Sequence, residues 1–131
     1  MIILDTHIWV KWILEEQSSL SEKILGVITG GSHLVVSAIS CFEVSMLAKR
    51  GKLELPLPVD QWLQEALYNS GVDALPVTCD IMQSAAMLPD IHRDPADRII
   101  IATALLNQAQ LVSLDSVFPG YEVLKCLLLN S

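Results

Sequence analysis

No apolar run in these 131 residues approaches the roughly 20 that a bilayer-spanning helix needs. Stretches such as Ile99–Ala102 stop far short, although 52% of the chain is hydrophobic. A membrane span is therefore excluded, and the apolar content is expected in a large core or an adhesive surface. Cysteine is scarce. Cys41, Cys79 and Cys126 are odd in number, far apart and set among apolar neighbours. Reduced core thiols are the expectation, against a disulfide framework or a zinc site. Positive charge is also in deficit: 8 Lys and Arg stand against 15 Asp and Glu, a net charge of -7. That argues against a passive nucleic-acid-binding face, which is usually basic. No internal repeat, low-complexity tract or linker occurs, so one domain over 1–131 is expected. There is no Gly-x-Ser-x-Gly elbow and no Gly-x-x-x-x-Gly-Lys-Ser/Thr loop, so serine hydrolysis and P-loop chemistry have no support. His7, His33 and His92 lack the i, i+4 spacing of a helical zinc pair, and solvated or core roles are expected for them. Met1 runs straight into Ile2-Ile3-Leu4-Asp5, with no basic stretch or small-residue cleavage site. No signal peptide is expected, and a cytoplasmic location is.

What the chain does contain is an alternation of short strands and helices. Ile2–Leu4 is wholly apolar, as a strand buried on both faces of a parallel sheet must be. Ser19-x-x-Glu22 reads as a capping box for a helix that Gly30-Gly31 ends. His33–Val36 is the second strand. Ser37 or Ser40 caps the next helix, Ser40-x-x-Glu43 being another capping-box match, and Lys49, Arg50 and Gly51 close it. Pro56 and Pro58 keep the following connector extended. Val59–Ser70 is amphipathic, with Trp62 and Ala66 inward. Val72–Leu75 is a third strand, and Thr78 caps a helix reaching about Leu88. Asp94-Pro95 opens the most apolar helix, with proline where its missing N–H costs nothing. Leu111–Leu114 is a fourth strand and Tyr121–Leu124 a fifth. Such alternation implies right-handed crossovers and a helix-flanked, mainly parallel sheet.

Four acids stand where this chain turns at its strand ends. Asp5 closes the first strand and Asp115 the fourth, while Glu43 and Asp97 lie early in helices whose N-termini point at the same sheet edge. Binding sites in open parallel sheets gather at that edge. Each acid has an ordinary alternative. Asp94, a fifth candidate, is a good N-cap for the Pro95 helix. Asp97 suits the helix dipole, Glu43 pairs with Ser40 in a capping box, and Asp115 can form a turn with Ser116. Asp5 has the weakest alternative, because no basic residue is near it in sequence. Carboxylates gathered at one edge repel unless cations hold them, so the joint occurrence points to a divalent-metal site. Bound ions also return positive charge where a phosphate would sit, which answers the objection from net charge.

The motifs Ile3-Leu4-Asp5-Thr6-His7, Ser37-Ala38-Ile39-Ser40-Cys41-Phe42-Glu43, His92-Arg93-Asp94-Pro95-Ala96-Asp97-Arg98-Ile99-Ile100-Ile101-Ala102-Thr103-Ala104 and Leu111-Val112-Ser113-Leu114-Asp115 together resemble the PIN domain. More narrowly, they resemble the toxin component of VapBC-type toxin–antitoxin pairs. The likeness covers nearly the whole chain in order. Its most specific part is the block around Asp94 and Asp97. Ser113, where the family often has Thr, is a mild departure. The resemblance implies an α/β/α sandwich around a five-stranded, mainly parallel sheet, Mg²⁺ or Mn²⁺ dependence, and endoribonuclease activity on single-stranded RNA. It carries catalytic and metal-ligand roles onto Asp5, Glu43, Asp97 and Asp115, and implies a homodimer and an antitoxin peptide seated in a groove.

Hard oxygen donors suit such ions, which lower the pKa of a bound water and neutralise charge on a phosphodiester. Thr6, Ser113 and Asp94 are candidates for supporting the ligands by hydrogen bonds, against plainer turn, strand-end and cap roles. Arg93 and Arg98, flanking the acids, are the basic residues expected to guide RNA, ahead of Lys11, Lys49, Arg50 and Lys52. Trp9, Trp12, Trp62 and the leucine-rich end (Leu124, Leu127, Leu128, Leu129) mark more apolar surface than a small domain readily hides; core packing accounts for most of it and an interface for the remainder. Two other readings stand beside this one. A non-catalytic binding or regulatory module would keep the fold without turnover. An aspartate-nucleophile phosphotransferase of the haloacid dehalogenase type would need a second Asp where His7 stands.

Overall fold

Strand residues of alternating direction explain the layering. The computed structural model describes residues 1–15 and 17–131. Its five strands are β1 (Ile2–Leu4), β2 (Leu34–Ser37), β3 (Val72–Leu75), β4 (Gln110–Val112) and β5 (Leu128–Leu129). They form one sheet in the order β3-β2-β1-β4-β5, every neighbouring pair parallel. The six helices are α1 (Thr6–Ile13), α2 (Glu22–Thr29), α3 (Ala38–Lys49), α4 (Val59–Ala66), α5 (Cys79–Met87) and α6 (Pro95–Asn107). Because side chains alternate along a strand, Ile2, Leu4, Leu34, Val36 and Val112 join one core, with Ile8, Trp9, Ile24, Ile28 and Trp62 of α1, α2 and α4. Ile3, Val35 and Leu111 join the other, against Ile100, Ile101 and Ala104 of α6. A smaller cluster ties Ile81 and Ala85 of α5 to Ile99 and Ala102 of α6. The result is the expected α/β/α sandwich. No described helix is long and apolar enough to cross a membrane.

Chain order reverses at β1: β2 and β3 extend the sheet to one side, and the chain then crosses to β4 and β5 on the other. The crevice beyond the carboxyl ends of β1 and β4 is the place such sheets reserve for ligands.

Several boundaries differ from expectation for identifiable reasons. The N-cap of α2 is Ser21, whose Oγ accepts from the Ile24 N–H, and Ser19 lies in a preceding 3₁₀ turn. Leu20 before the cap and Leu25 in the first turn both join the core, so the entry of the chain is set by apolar burial. Ser37, not Ser40, caps α3, and Ser40 is fully buried for another purpose. The helix from Val59 stops at Ala66, and Tyr68–Ser70 tightens into a 3₁₀ turn ended by Gly71 at φ +68°. Tyr121–Leu124 is not a strand. Tyr121 and Leu124 are both buried, a spacing of three that suits a 3₁₀ turn, and β5 forms only at Leu128.

The cysteines are free, as expected, but not core: Cys79 and Cys126 are exposed and Cys41 is half-buried, where burial raises its thiol pKa. The tryptophans run the other way. Trp9 and Trp62 are fully buried, with ring centroids 5.3 Å apart, and the Trp9 indole donates to the Ala66 carbonyl at 3.0 Å. Leu124 and Leu129 are buried as well. The large exposed apolar groups are instead residues such as Phe42, Tyr68, Met87 and Val123.

Candidate metal centre

Asp5 ends β1 in extended backbone and caps α1, its Oδ1 accepting from the Thr6 N–H at 2.8 Å. Its Oδ2 accepts from the Ser113 hydroxyl at 2.6 Å, just past β4, and lies 3.3 Å from His7 Nδ1. His7 Nε2 accepts from the Leu114 N–H at 3.0 Å, which leaves the ring proton on Nδ1, facing Asp5. Two donors and the neighbouring His7 ring therefore hold a carboxylate that is only 2% exposed. Burial still outweighs these contacts, and its pKa is raised.

Glu43 sits in the second turn of α3, and helical side chains lean back toward the N-terminus, here toward the crevice. Thr6 Oγ1 donates to Glu43 Oε1 at 2.6 Å. Having spent its one proton there, Thr6 must receive the 2.8 Å contact from the buried Ser40 hydroxyl. Burial, then the charges of Asp5 and Asp94, push the Glu43 pKa up against the Thr6 bond.

Asp94 caps α6, its Oδ1 accepting from the Ala96 N–H at 2.9 Å, and Pro95 fills the first helical position. Asp97 follows in the first turn. Burial, with the charges of Asp5 and Asp94, pushes Asp97 up to about 7 despite the opposing His92. Asp115 behaves differently. Burial raises it, but the Val117 N–H on Oδ1 at 2.8 Å, the His92 hydrogen bond and the His92 and His7 charges together outweigh burial and lower its pKa.

One cleft of about 370 Å³ is lined by all four expected acids, together with Thr6, His7 and Lys11. Ligand-capable atoms of Glu43, Asp94 and Asp97 lie within 4.8 Å of one another, and so do those of His92, Asp97 and Asp115. Asp97 is common to both sets. Asp94 thus combines the cap role with a position among the acids. Among the described residues no lysine or arginine pairs with any of the five carboxylates. Clustered hard oxygen donors, mostly raised in pKa by burial and by one another, fit a divalent cation such as Mg²⁺ or Mn²⁺.

The basic residues fall out otherwise than expected. Arg98 does not face the cleft as a guide for RNA. Its guanidinium donates to five backbone carbonyls, those of Ala85, Ala86, Leu88, Pro89 and His92, at 2.8–3.2 Å. Arg93 is exposed. Lys11 lines the acid cleft, and Arg50 lines an adjoining groove of about 410 Å³ that shares Glu43 and Leu47 with it. Neither was favoured from sequence. His92 was missed altogether: a search for paired helical ligands passes over a histidine in a loop. Its nearness to Asp97 within one motif was the available signal.

The PIN domain model matches residues 2–124. Ribonuclease VapC22 from Mycobacterium tuberculosis is 36% identical over 115 residues, 87% of this chain and 86% of that protein. Two solved structures are similar in fold. A toxin-antitoxin complex from Klebsiella pneumoniae has a TM-score of 0.63 at 20% identity, covering 98% of this chain and 96% of that one. VapBC2 from Rickettsia felis, bound to a DNA fragment from its promoter, has a TM-score of 0.69 at 17% identity, covering 98% of each chain.

Proposed function

The chain belongs to the PIN domain family, and from that premise we propose that it is a metal-dependent endoribonuclease cleaving single-stranded RNA, the toxin of a toxin–antitoxin pair. The observation that carries the chemistry is the one cleft lined by Asp5, Glu43, Asp97 and Asp115, none of which pairs with a lysine or arginine among the described residues. These four residues hold Mg²⁺ or Mn²⁺ there, Asp94 supporting them from the helix cap. When bound, the ion supplies a water of lowered pKa and positive charge for the phosphodiester.

The protein groups orient and exclude. Thr6 aims Glu43, and Ser113 with His7 fixes Asp5 between β1 and β4. Lys11, Arg50 and Arg93 attract the RNA backbone toward acids that would otherwise repel it. The names ribonuclease and toxin-antitoxin complex borne by similar proteins support an RNA substrate and an antitoxin partner, and the proposal adds a homodimer acting in the cytoplasm. The aspartate-nucleophile alternative gains nothing: His7 occupies the position of the required second acid and lies against Asp5 instead, Nδ1 3.3 Å from Oδ2.

The test is cleavage of a single-stranded RNA by purified protein, with and without Mg²⁺, Mn²⁺ and EDTA. Cleavage should require the ion, and Asp97→Asn should reduce it on the order of 100-fold or more, the scale of losing one preorganised electrostatic contact. Cleavage that persists in EDTA, or undiminished activity of Asp97→Asn, would overturn the metal-dependent reading. A folded, Mn²⁺-binding but inert wild type would leave a non-catalytic binding module.

A further inference from the structure

The segment between α5 and α6 is held far more firmly than an ordinary loop. Tyr121 Oη accepts from the His92 N–H at 2.8 Å and donates to the Pro89 carbonyl at 3.2 Å. Arg98 takes the His92 and Pro89 carbonyls from the other side, both at 3.1 Å. The His92 ring lies edge-on against the buried Phe118, centroids 5.9 Å apart at 72°. Backbone and ring of a single residue are thus fixed from three directions.

The two ring nitrogens are distinguished by their neighbours. Nδ1 accepts from the Asp94 N–H at 3.3 Å, so in the neutral ring the proton resides on Nε2. That N–H donates to Asp115 Oδ2 at 3.1 Å, and Nε2 also lies 2.9 Å from Asp97 Oδ2. A nitrogen carrying a proton has no lone pair to offer a metal. The contact with Asp97 falls on Oδ2, and Asp97 Oδ1 accepts no hydrogen bond from the described residues, while Glu43 and Asp94 bring their own ligand-capable atoms within 4.8 Å of one on Asp97.

We propose that His92 is a positioning residue of the acidic cleft: its Nε2 edge ties Asp97 to Asp115 and leaves the other oxygen of Asp97 for the ion, while His92 itself stays outside the ligand set. This rests on the reading of the acids as the metal-holding set. Donors of this kind behind a ligand set its orientation, and their loss typically weakens metal affinity by about tenfold or more.

Full-length wild type, His92→Ala, His92→Gln and Asp97→Asn are compared by Mn²⁺ titration in electron paramagnetic resonance, by spin-echo detection of nitrogen coupled to the bound Mn²⁺, and by RNA cleavage. Wild type should bind Mn²⁺ with no directly coordinated histidine nitrogen. His92→Ala should raise the Mn²⁺ dissociation constant about tenfold or more and lower kcat with little change in KM for RNA. His92→Gln, which keeps an N–H donor, should recover most of both. Nitrogen directly bound to Mn²⁺ in the wild type would overturn the proposal by making His92 a ligand, and this holds even if His92→Ala fails to fold. Unchanged Mn²⁺ affinity in His92→Ala would overturn it also. If Asp97→Asn bound Mn²⁺ as tightly as wild type, the failure would lie instead in the reading of the acids.

Discussion

Thr6 has one hydroxyl proton and gives it to Glu43, while Ser40 gives its own to Thr6. The three side chains, from two helices, form a directed chain in which Thr6 is the only link. Thr6→Val keeps the shape and removes the link, leaving the buried Ser40 hydroxyl unpaired. A loss of about 1–3 kcal/mol in urea denaturation follows, with weaker RNA cleavage. Thr6→Ser, able to rebuild both bonds, should keep most of the stability. The Thr6 bond also lowers the Glu43 pKa, so Thr6→Val raises it further, measurable by carboxyl chemical shifts. At this scale the sequence was legible only in part. Asp5, Glu43, Asp97 and Asp115 stand out because a carboxylate at a strand end or helix start is a local event, and the structure brings all four to one cleft. Ser40, His7 and His92 were not legible: Thr6 lies 34 residues from Ser40, the Leu114 N–H that orients His7 lies 107 residues away, and His92 sits in a loop with no periodicity, 23 residues from Asp115.

Among the elements, α6 carries the most. Asp94 caps it, Asp97 and its apolar face divide between cleft and core, and Arg98 satisfies the Ala86 and Leu88 carbonyls that the end of α5 would leave bare, while adding to those of Ala85, Pro89 and His92. A planar fork with five N–H donors matches five carbonyls, and an ammonium with three does not. Arg98→Lys should therefore destabilise the protein by about 2–4 kcal/mol, each orphaned acceptor being costly. Thermal unfolding measures this, and a change under 1 kcal/mol on the order of one surface contact would refute the clamp. The α6 start was readable from Asp94-Pro95, as were the strands whose residues are apolar on both faces. Tyr121–Leu124 misled, because two β-favouring residues outside a ladder carry no signal of the turn that burying Tyr121 and Leu124 together requires.

For the whole molecule, the cleft opposes folding when it is charged and empty of cations. Asp5, Glu43 and Asp97 have raised pKa values, Asp97 to about 7. The folded state then binds more protons than the unfolded chain, whose carboxyls titrate near about 4. The stability these groups allow is fully present below about pH 4 and is lost as pH rises through about 7. Asp115, lowered, works in the reverse sense but as one group against three. Metal-free protein should therefore melt at a higher temperature at pH 5.5 than at pH 8, and Mg²⁺ or Mn²⁺ should raise the midpoint more at pH 8 by binding the folded state. Calorimetry with EDTA and with each ion checks both. The reversal of strand order at β1 has a last consequence, for folding kinetics. The Ser113–Asp5 bond spans 108 residues, and β4 must pair beside β1 before that bond can form. So distant a closure belongs late in folding. A nascent chain still lacking β4 leaves Asp5 without its Ser113 donor, and its cleft unfinished.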